Sequence, residues 1–538
     1  MTTMPFSFFS FFSFSSFRTS SFSFFSSLPS IGLLFCFLLS FFILLHYFVT
    51  RILTTFSYSN NSYGPKMHPV VGCFVSFYQN RRRLLDWYTS LLAESPTMTI
   101  VVSRIGACRT VVTADPANVE YILKSNFSNY PKGRPFTELL GDFLGSGIFN
   151  ADGELWLSQR KLASHEFTTR SLKDFAVVAV AAETADRLVP VLTSAGLAGR
   201  VVDMQDLLKR FAFDTISRIS LGVDPGFLSP SLPASELADA FETASAICAG
   251  RGSAPISLIW KVKRFLRIGS EKRLHEAINL IRESITRIVR LRRAQEEEGG
   301  VAGDGTDLLS RLISAGHSEE VIRDMAISFV VAGRDTTSAA LTWFFYMMTC
   351  HPEAEAAVVE EVRRINKGKE RLDYHALKEM KVLEACLCET MRLYPPVAWD
   401  SKYAVADDVL PDGTWVRGGD RVTYFPYGMG RMERLWGEKW MRFDYKRWLT
   451  AEGEVARVSP FKFAVFQAGP RVCLGKEMAF LQMKYIAAAV VGKFRLRPAA
   501  GEGGPAPVFV PQLTAHMAGG LRVAVEEREV ETLNPTLL

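Results

Sequence analysis

The chain has 538 residues, 48% hydrophobic and 22% charged, with 62 Lys and Arg against 56 Asp and Glu. Those proportions exclude a disordered or collagen-like chain, and eight scattered cysteines exclude a disulfide framework or a CxxC zinc site. The net charge of +6 lies ahead of Asp86, the first acid, on Arg18, Arg51, Lys66, Arg81, Arg82 and Arg83, so the body is neutral and no nucleic-acid partner is expected.

Residues 1–27 form a low-complexity start with ten Phe and ten Ser, and Arg18 is their only charge. Residues 28–50 read as a transmembrane anchor. Ile31 to Val49 are 19 residues without charge, which at about 1.5 Å per helical residue nearly span a hydrocarbon core of roughly 30 Å. A cleaved signal peptide has a shorter apolar region, and the Ser-rich, acid-free start also imitates an organelle transit peptide. Arg51, Lys66 and Arg81–Arg83 follow the span, which favours a single-pass topology with the body in the cytosol. Residues 51–80 read as hinge and linker, because Tyr63–Gly72 carries two prolines and two glycines and cannot continue a helix.

Residues 81–538 read as one large helical domain with a small β part, the β-like runs being Met98–Val102 and Arg109–Thr113. The longest helix is predicted from Ser318, a good N-cap followed by Glu319 and Glu320, up to Pro352. Its middle is apolar all round, so it crosses the core. Into that centre the sequence places Ala332-Gly333-Arg334-Asp335-Thr336-Thr337. Buried polar groups need partners or work to do, and these read equally as a Gly-weakened helix with Thr bonding back to its own carbonyls. Glu389 and Arg392 stand at i, i+3 ahead of Pro395-Pro396, a spacing that on a surface makes only a weak ion pair. Phe466-Gln-Ala-Gly469-Pro-Arg471-Val-Cys473-Leu-Gly475 precedes a helical stretch from Lys476 to Val490. Two glycines permit a tight turn against a flat group, Arg471 offers a cation to a carboxylate, and Cys473 sits where a helix N-terminus favours a thiolate. A buried structural cysteine is the plainer reading of a lone Cys, but here the FxxGxRxCxG spacing is complete.

Order and spacing together resemble the cytochrome P450 family of heme-thiolate monooxygenases over roughly residues 63–538. The resemblance implies the mainly α fold of that family with small β-sheets, and heme b held by Cys473 in the loop of Phe466, Gly469, Arg471 and Gly475. It implies Trp156 and Arg160 as donors to the heme carboxylates. Gly333, Asp335 and Thr336 become the oxygen-activating set, with Gly333 leaving room for O2. Glu389, Arg392 and Arg447 become a structural core beneath the heme. Tyr445-Lys446 depart from the family's usual Pro and acid, so a local change in that loop is expected. A thiolate ligand pushes electron density onto the iron and favours O–O cleavage. Electrons from NADPH would come through the membrane-bound NADPH–cytochrome P450 reductase, with Lys161, Lys476 and Lys484 facing it, and the location implied is the endoplasmic reticulum membrane.

Finer segments, including Leu140–Asn150, Tyr394–Asp400 and Leu513–Leu521, resemble the plant fatty-acid ω-hydroxylases, the branch that includes jasmonoyl-isoleucine hydroxylases. That implies a fatty-acid-like substrate partitioning into membrane lipid, and a channel lined by Phe136 to Phe149, Val397 to Lys402 and Leu513 to Met517. His516 reads either as a partner for a substrate carboxylate or as a packed histidine. A heme-thiolate enzyme that rearranges hydroperoxides generally lacks the Asp335–Thr336 pair. A catalytically silent membrane protein would not need every heme contact.

Overall fold

The computed structural model describes residues 37–47, 49, 63–68, 70–168, 170–297, 307–366, 372–499 and 507–529. Residues 1–27, and residues 28–36, 48 and 50 of the expected anchor over 28–50, lie outside that set. The described part of the anchor, residues 37–47, is helical with exposed Phe, Leu and Ile side chains. Among the described residues no helix is long and apolar enough to cross a membrane. The globular body takes in part of the expected linker, since Phe74–Gln79 is a helix and Cys73 and Phe77 are buried in the core.

The helices that frame the site are α1 (Gly133–Leu144), α2 (Gly153–Thr168), α3 (Met204–Leu221), α4 (Glu236–Ser253), α5 (Ser257–Leu266), α6 (Glu319–Cys350), α7 (Lys381–Leu393) and α8 (Lys476–Lys493). The strands are β1 (Thr99–Val102), β2 (Thr110–Thr113), β3 (Val202–Asp203), β4 (Asp400–Tyr403), β5 (Asp408–Val409), β6 (Trp415–Val416), β7 (Arg421–Tyr424), β8 (Phe494–Pro498), β9 (Phe509–Pro511), β10 (Ala515–Met517) and β11 (Arg522–Glu527). They form a four-stranded sheet β1-β2-β7-β4, a three-stranded sheet β3-β11-β8, and the pairs β10-β9 and β5-β6. The four-stranded sheet is mixed, with β2 parallel to β7 and the other neighbours antiparallel.

Helix α6 is the axis of the body. Ser318 caps it by accepting from Val321 N, two acids occupy its positive end, and the next proline, Pro352, lies beyond Cys350. Its 32 residues run between the two largest apolar clusters, contributing Met325–Ile327, Phe329 and Val330 to one and Ala340, Leu341, Trp343–Phe345, Met347 and Met348 to the other. Helix α7 ends at the residues before Pro395, as a helix must when proline cannot continue it.

Candidate active site

Burial along α6 is interrupted at one place. Asp324–Val330 and Thr337–Phe345 are buried, whereas Val331, Ala332, Gly333 and Thr336 keep partial access. Ala332 and Thr336 are one turn apart on one face, so the interruption is a single patch facing an interior space. The Thr336 hydroxyl donates to Ala332 O at 2.6 Å. Asp335, on the adjoining face, is buried, with Arg334 Nε 3.5 Å from its Oδ1. Burial pushes the Asp335 carboxyl pKa up, against the opposing pull of Arg334 and Lys209. Carboxyl and hydroxyl side chains are groups that relay protons.

Gly333 does something other than clear space for O2. A side chain there would collide with Ile216 of α3, so the missing Cβ serves the close approach of α3 and α6. Small residues at such contacts set how near two helices can come.

The cysteine loop is shaped by two residues of positive φ, Gln467 at 57° and Gly469 at 65°. Any Cβ at Gly469 would strike the carbonyl of Leu123, so the glycine is needed for fit as well as for conformation. Cys473 N donates to Phe466 O at 2.8 Å, which folds the loop back on itself before α8 begins. The thiol is surrounded by protein, which pushes its pKa up, yet the side chain keeps accessible surface, as a residue lining an interior space does. The Gly475 amide and the charges of Arg160 and Lys476 oppose that rise and favour the thiolate.

Arg471 is buried and lies 4.5 Å from the ring centroid of Trp156. Its Nη2 donates to Ala151 O at 2.9 Å and to Asp152 Oδ1 at 2.6 Å, while its Nε is buried without a partner. Arg160 donates to Val472 O at 2.6 Å. A thiol, two guanidinium groups and Trp156 thus meet around the cysteine loop. An orphaned buried donor on Arg471 calls for an acceptor, and a heme carboxylate meets that need, so the residues present fit a heme.

Glu389 and Arg392 are fully buried rather than a surface pair. Arg392 donates to both Glu389 oxygens, at 2.8 and 2.7 Å, and to the carbonyls of Gly430, Trp440 and Arg442. Glu389 also accepts from Asp444 N at 2.9 Å and Trp448 Nε1 at 2.8 Å, and lies 3.5 Å from Arg447 Nε. The unusual Tyr445-Lys446 form a 3-10 turn capped by Asp444, and Arg447 keeps its place, donating to Trp436 O and Lys439 O. Trp448 escapes a reading of the sequence, since an indole joining this pair carries no spacing of its own.

Phe136, Phe149 and Leu513 are half-buried and join one apolar cluster with Met325–Ile327, Phe329 and Val330 of α6. Val397 is half-buried, and Ala515 N donates to Pro396 O at 2.8 Å, which ties its segment to β10. One expectation of that wall is corrected. The far end of the Val397–Lys402 segment is no apolar wall, because Asp400 and Lys402 are a buried ion pair at 3.2 Å. Of the two readings of His516, on β10, the packed histidine agrees with its surroundings, where burial and Lys209 push its pKa down to about 4. Lys484 is buried, donates to Leu377 O and pairs with Glu384, which removes it from any surface, while Lys161 and Lys476 are exposed. Among the described residues, Glu183, Asp214 and Asp224 stand close enough to hold a metal ion, but Arg187 and Arg218 already bridge them.

The sequence pattern of the cytochrome P450 family matches residues 63–514. Cytochrome P450 94B1 of Arabidopsis thaliana is 52% identical over 91% of this chain and 96% of its own. Cytochrome P450 94A2 of Vicia sativa is 46% identical over 88% and 93%. The crystal structure of the cytochrome P450DA heme domain superposes with a TM-score of 0.72 at 21% identity, covering 86% of this chain and 97% of that one, a likeness of fold. A complete cysteine loop, a buried Glu389–Arg392 core and a match across most of the length agree, and the chain belongs to the cytochrome P450 family, whose members are heme-thiolate monooxygenases.

Proposed function

We propose that the chain is an NADPH-dependent hydroxylase of a fatty acid or fatty-acid-derived chain, attacking at or near the ω end, with jasmonoyl–amino-acid conjugates within its range. When bound, the heme supplies activation of O2 and insertion of one oxygen atom into a C–H bond. The chain's own residues do the rest. Cys473 provides the thiolate, and Arg471, Arg160 and Trp156 hold the carboxylate edge. Asp335 and Thr336 pass protons to the open patch of α6, while the surrounding apolar side chains keep bulk water away.

The observation that carries the substrate class is the convergence of Phe136, Phe149 and Leu513 on the apolar stretch of α6 that precedes the open patch. A terminal methyl has stronger C–H bonds than the methylenes behind it. Attack there requires a wall that presents the chain end-on, which apolar side chains provide. His516, neutral in place, fits such a wall.

A membrane-held substrate agrees with α5. Leu258, Ile259, Val262, Phe265 and Leu266 are exposed on it, Phe265 at 87%, beside Lys261, Lys263 and Arg264, while Trp260 turns inward. A basic helix with an exposed apolar face lies on a lipid surface, and we place the enzyme on the endoplasmic reticulum membrane, fed by NADPH–cytochrome P450 reductase. Equal lauric acid, oleic acid and jasmonoyl-isoleucine, offered to the protein in microsomes with reductase and NADPH, test the proposal. ω-Hydroxylated products identified by mass spectrometry are expected. Absence of product from all three, with heme loaded and reductase coupled, contradicts it.

A further inference from the structure

A cavity of about 390 Å³ lies where α6 and α7 end, and no residue of the cysteine loop, the open patch of α6 or the proposed substrate wall lines it. Met347 and His351 border it from the end of α6, Leu393 and Tyr394 from the end of α7, and Arg431 and the loop Met441-Arg442-Phe443 complete it. The loop is held by the buried Arg392, which donates to Trp440 O and Arg442 O.

Two guanidinium groups line this space, and among the described residues neither is paired with a carboxylate. Arg431 is half-buried, donates to Tyr427 O at 3.4 Å, and lies over the rings of Tyr427 and Tyr394, with Cζ 3.7 and 5.4 Å from their centroids. Aromatic faces attract a cation without neutralising it. Asp86, an acid that acts on Arg431, is engaged by the Tyr427 hydroxyl at 2.7 Å, and burial works against the arginine's charge. The Arg442 side chain is exposed and makes no hydrogen bond or ion pair among the described residues. Two such cations around one recess call for an anion, and a guanidinium matches the planar fork of a carboxylate.

The remaining walls say what the anion carries. Both rings already have a neighbour: Tyr394 lies flat on Trp343, centroids 4.0 Å apart, and the Phe443 ring is 4.7 Å from that of His351. His351 Nδ1 is itself 3.0 Å from Met347 O. What is left for a ligand is Met347, Leu393 and the exposed Met441. Thioether side chains mould themselves to a flexible partner, so an aliphatic body fits better than a flat ring. The volume stands at the small end of the roughly 300–1,000 Å³ that ligand pockets span, which suits a short chain.

We propose that this cavity is a binding site for a short aliphatic carboxylate, its head between Arg431 and Arg442 and its chain against Met347, Leu393 and Met441. The site is separate from the one in which a substrate meets the heme.

The test is calorimetric titration of octanoate into purified holoenzyme whose heme pocket is blocked by a saturating heme-coordinating azole, for wild type and Arg442→Gln. Octanol, with the same chain and no charge, is the control. Arg392 holds the Arg442 carbonyl and not its side chain, so the variant folds as wild type does. Wild type is expected to bind octanoate, and Arg442→Gln to bind it about tenfold more weakly, as loss of one charged hydrogen bond predicts. Octanol is expected to bind both proteins equally and more weakly than wild type binds octanoate. Equal octanoate affinity in the two proteins overturns the proposal, as does wild type that binds no octanoate. Octanol held as tightly as octanoate also overturns it, since the recess would then be merely apolar.

Discussion

The Thr336 hydroxyl donates to the carbonyl one turn back, and Asp335, the residue before it, is buried. In Thr336→Ala, water replaces the hydroxyl in part. Product per NADPH is expected to fall about tenfold, short of the ~10²-fold a lost proton donor can cost, with peroxide released in its place. NADPH, peroxide and product measured together check this, and full coupling would assign Thr336 to helix packing alone. Glu389 answers Arg392 and also accepts from Asp444 N and Trp448 Nε1. Glu389→Ala strands a buried guanidinium at a cost of about 3–5 kcal/mol, so expression yields little folded holo-protein; an intact, heme-loaded variant on purification contradicts that role. Both sites were legible in the sequence because their residues sit close together along the chain. The cavity of Arg431 and Arg442 was not, since its walls meet only through folding, from the ends of α6 and α7 and from later turns of the chain.

At the level of elements, α6 was readable in full. Ser318 caps it, no proline interrupts it, and its observed bounds are Glu319–Cys350. The two early strands fell where the β-like runs stood, but β3, β5 and β6 are two residues each and too short to show a period. What the sequence hid was the partner of Gly333. Spacing shows a small residue in mid-helix and leaves open which neighbour fills the gap, and here Ile216 fills it. Gly333→Val therefore overpacks the α3–α6 contact and is expected to destabilise by about 1–3 kcal/mol. Adding Ile216→Ala makes room and recovers part of the loss, a coupling that thermal unfolding of the two single variants and the double one measures. Additive losses would mean that Gly333 faces elsewhere.

Across the whole molecule the charge is divided by position, with a neutral body and the surplus bases ahead of Asp86. On α5 the body carries exposed apolar side chains beside basic ones, the face proposed above to meet lipid. Residues 61–538 are expected to float with anionic vesicles, and Leu258→Glu with Phe265→Glu to abolish that while leaving the fold intact by circular dichroism. Retained flotation would place the membrane contact on another surface. The family was legible in the sequence because its motifs are short and local, whereas the proposed substrate wall is assembled from α1, α6 and the segment before β10. The most direct test of the central claim is turnover of a fatty acid under ¹⁸O2 with NADPH and reductase, the product being read by mass spectrometry. One ¹⁸O atom at the end of the chain, formed only with NADPH, is the predicted result. Product whose oxygen comes from an added hydroperoxide, formed without NADPH, would contradict it.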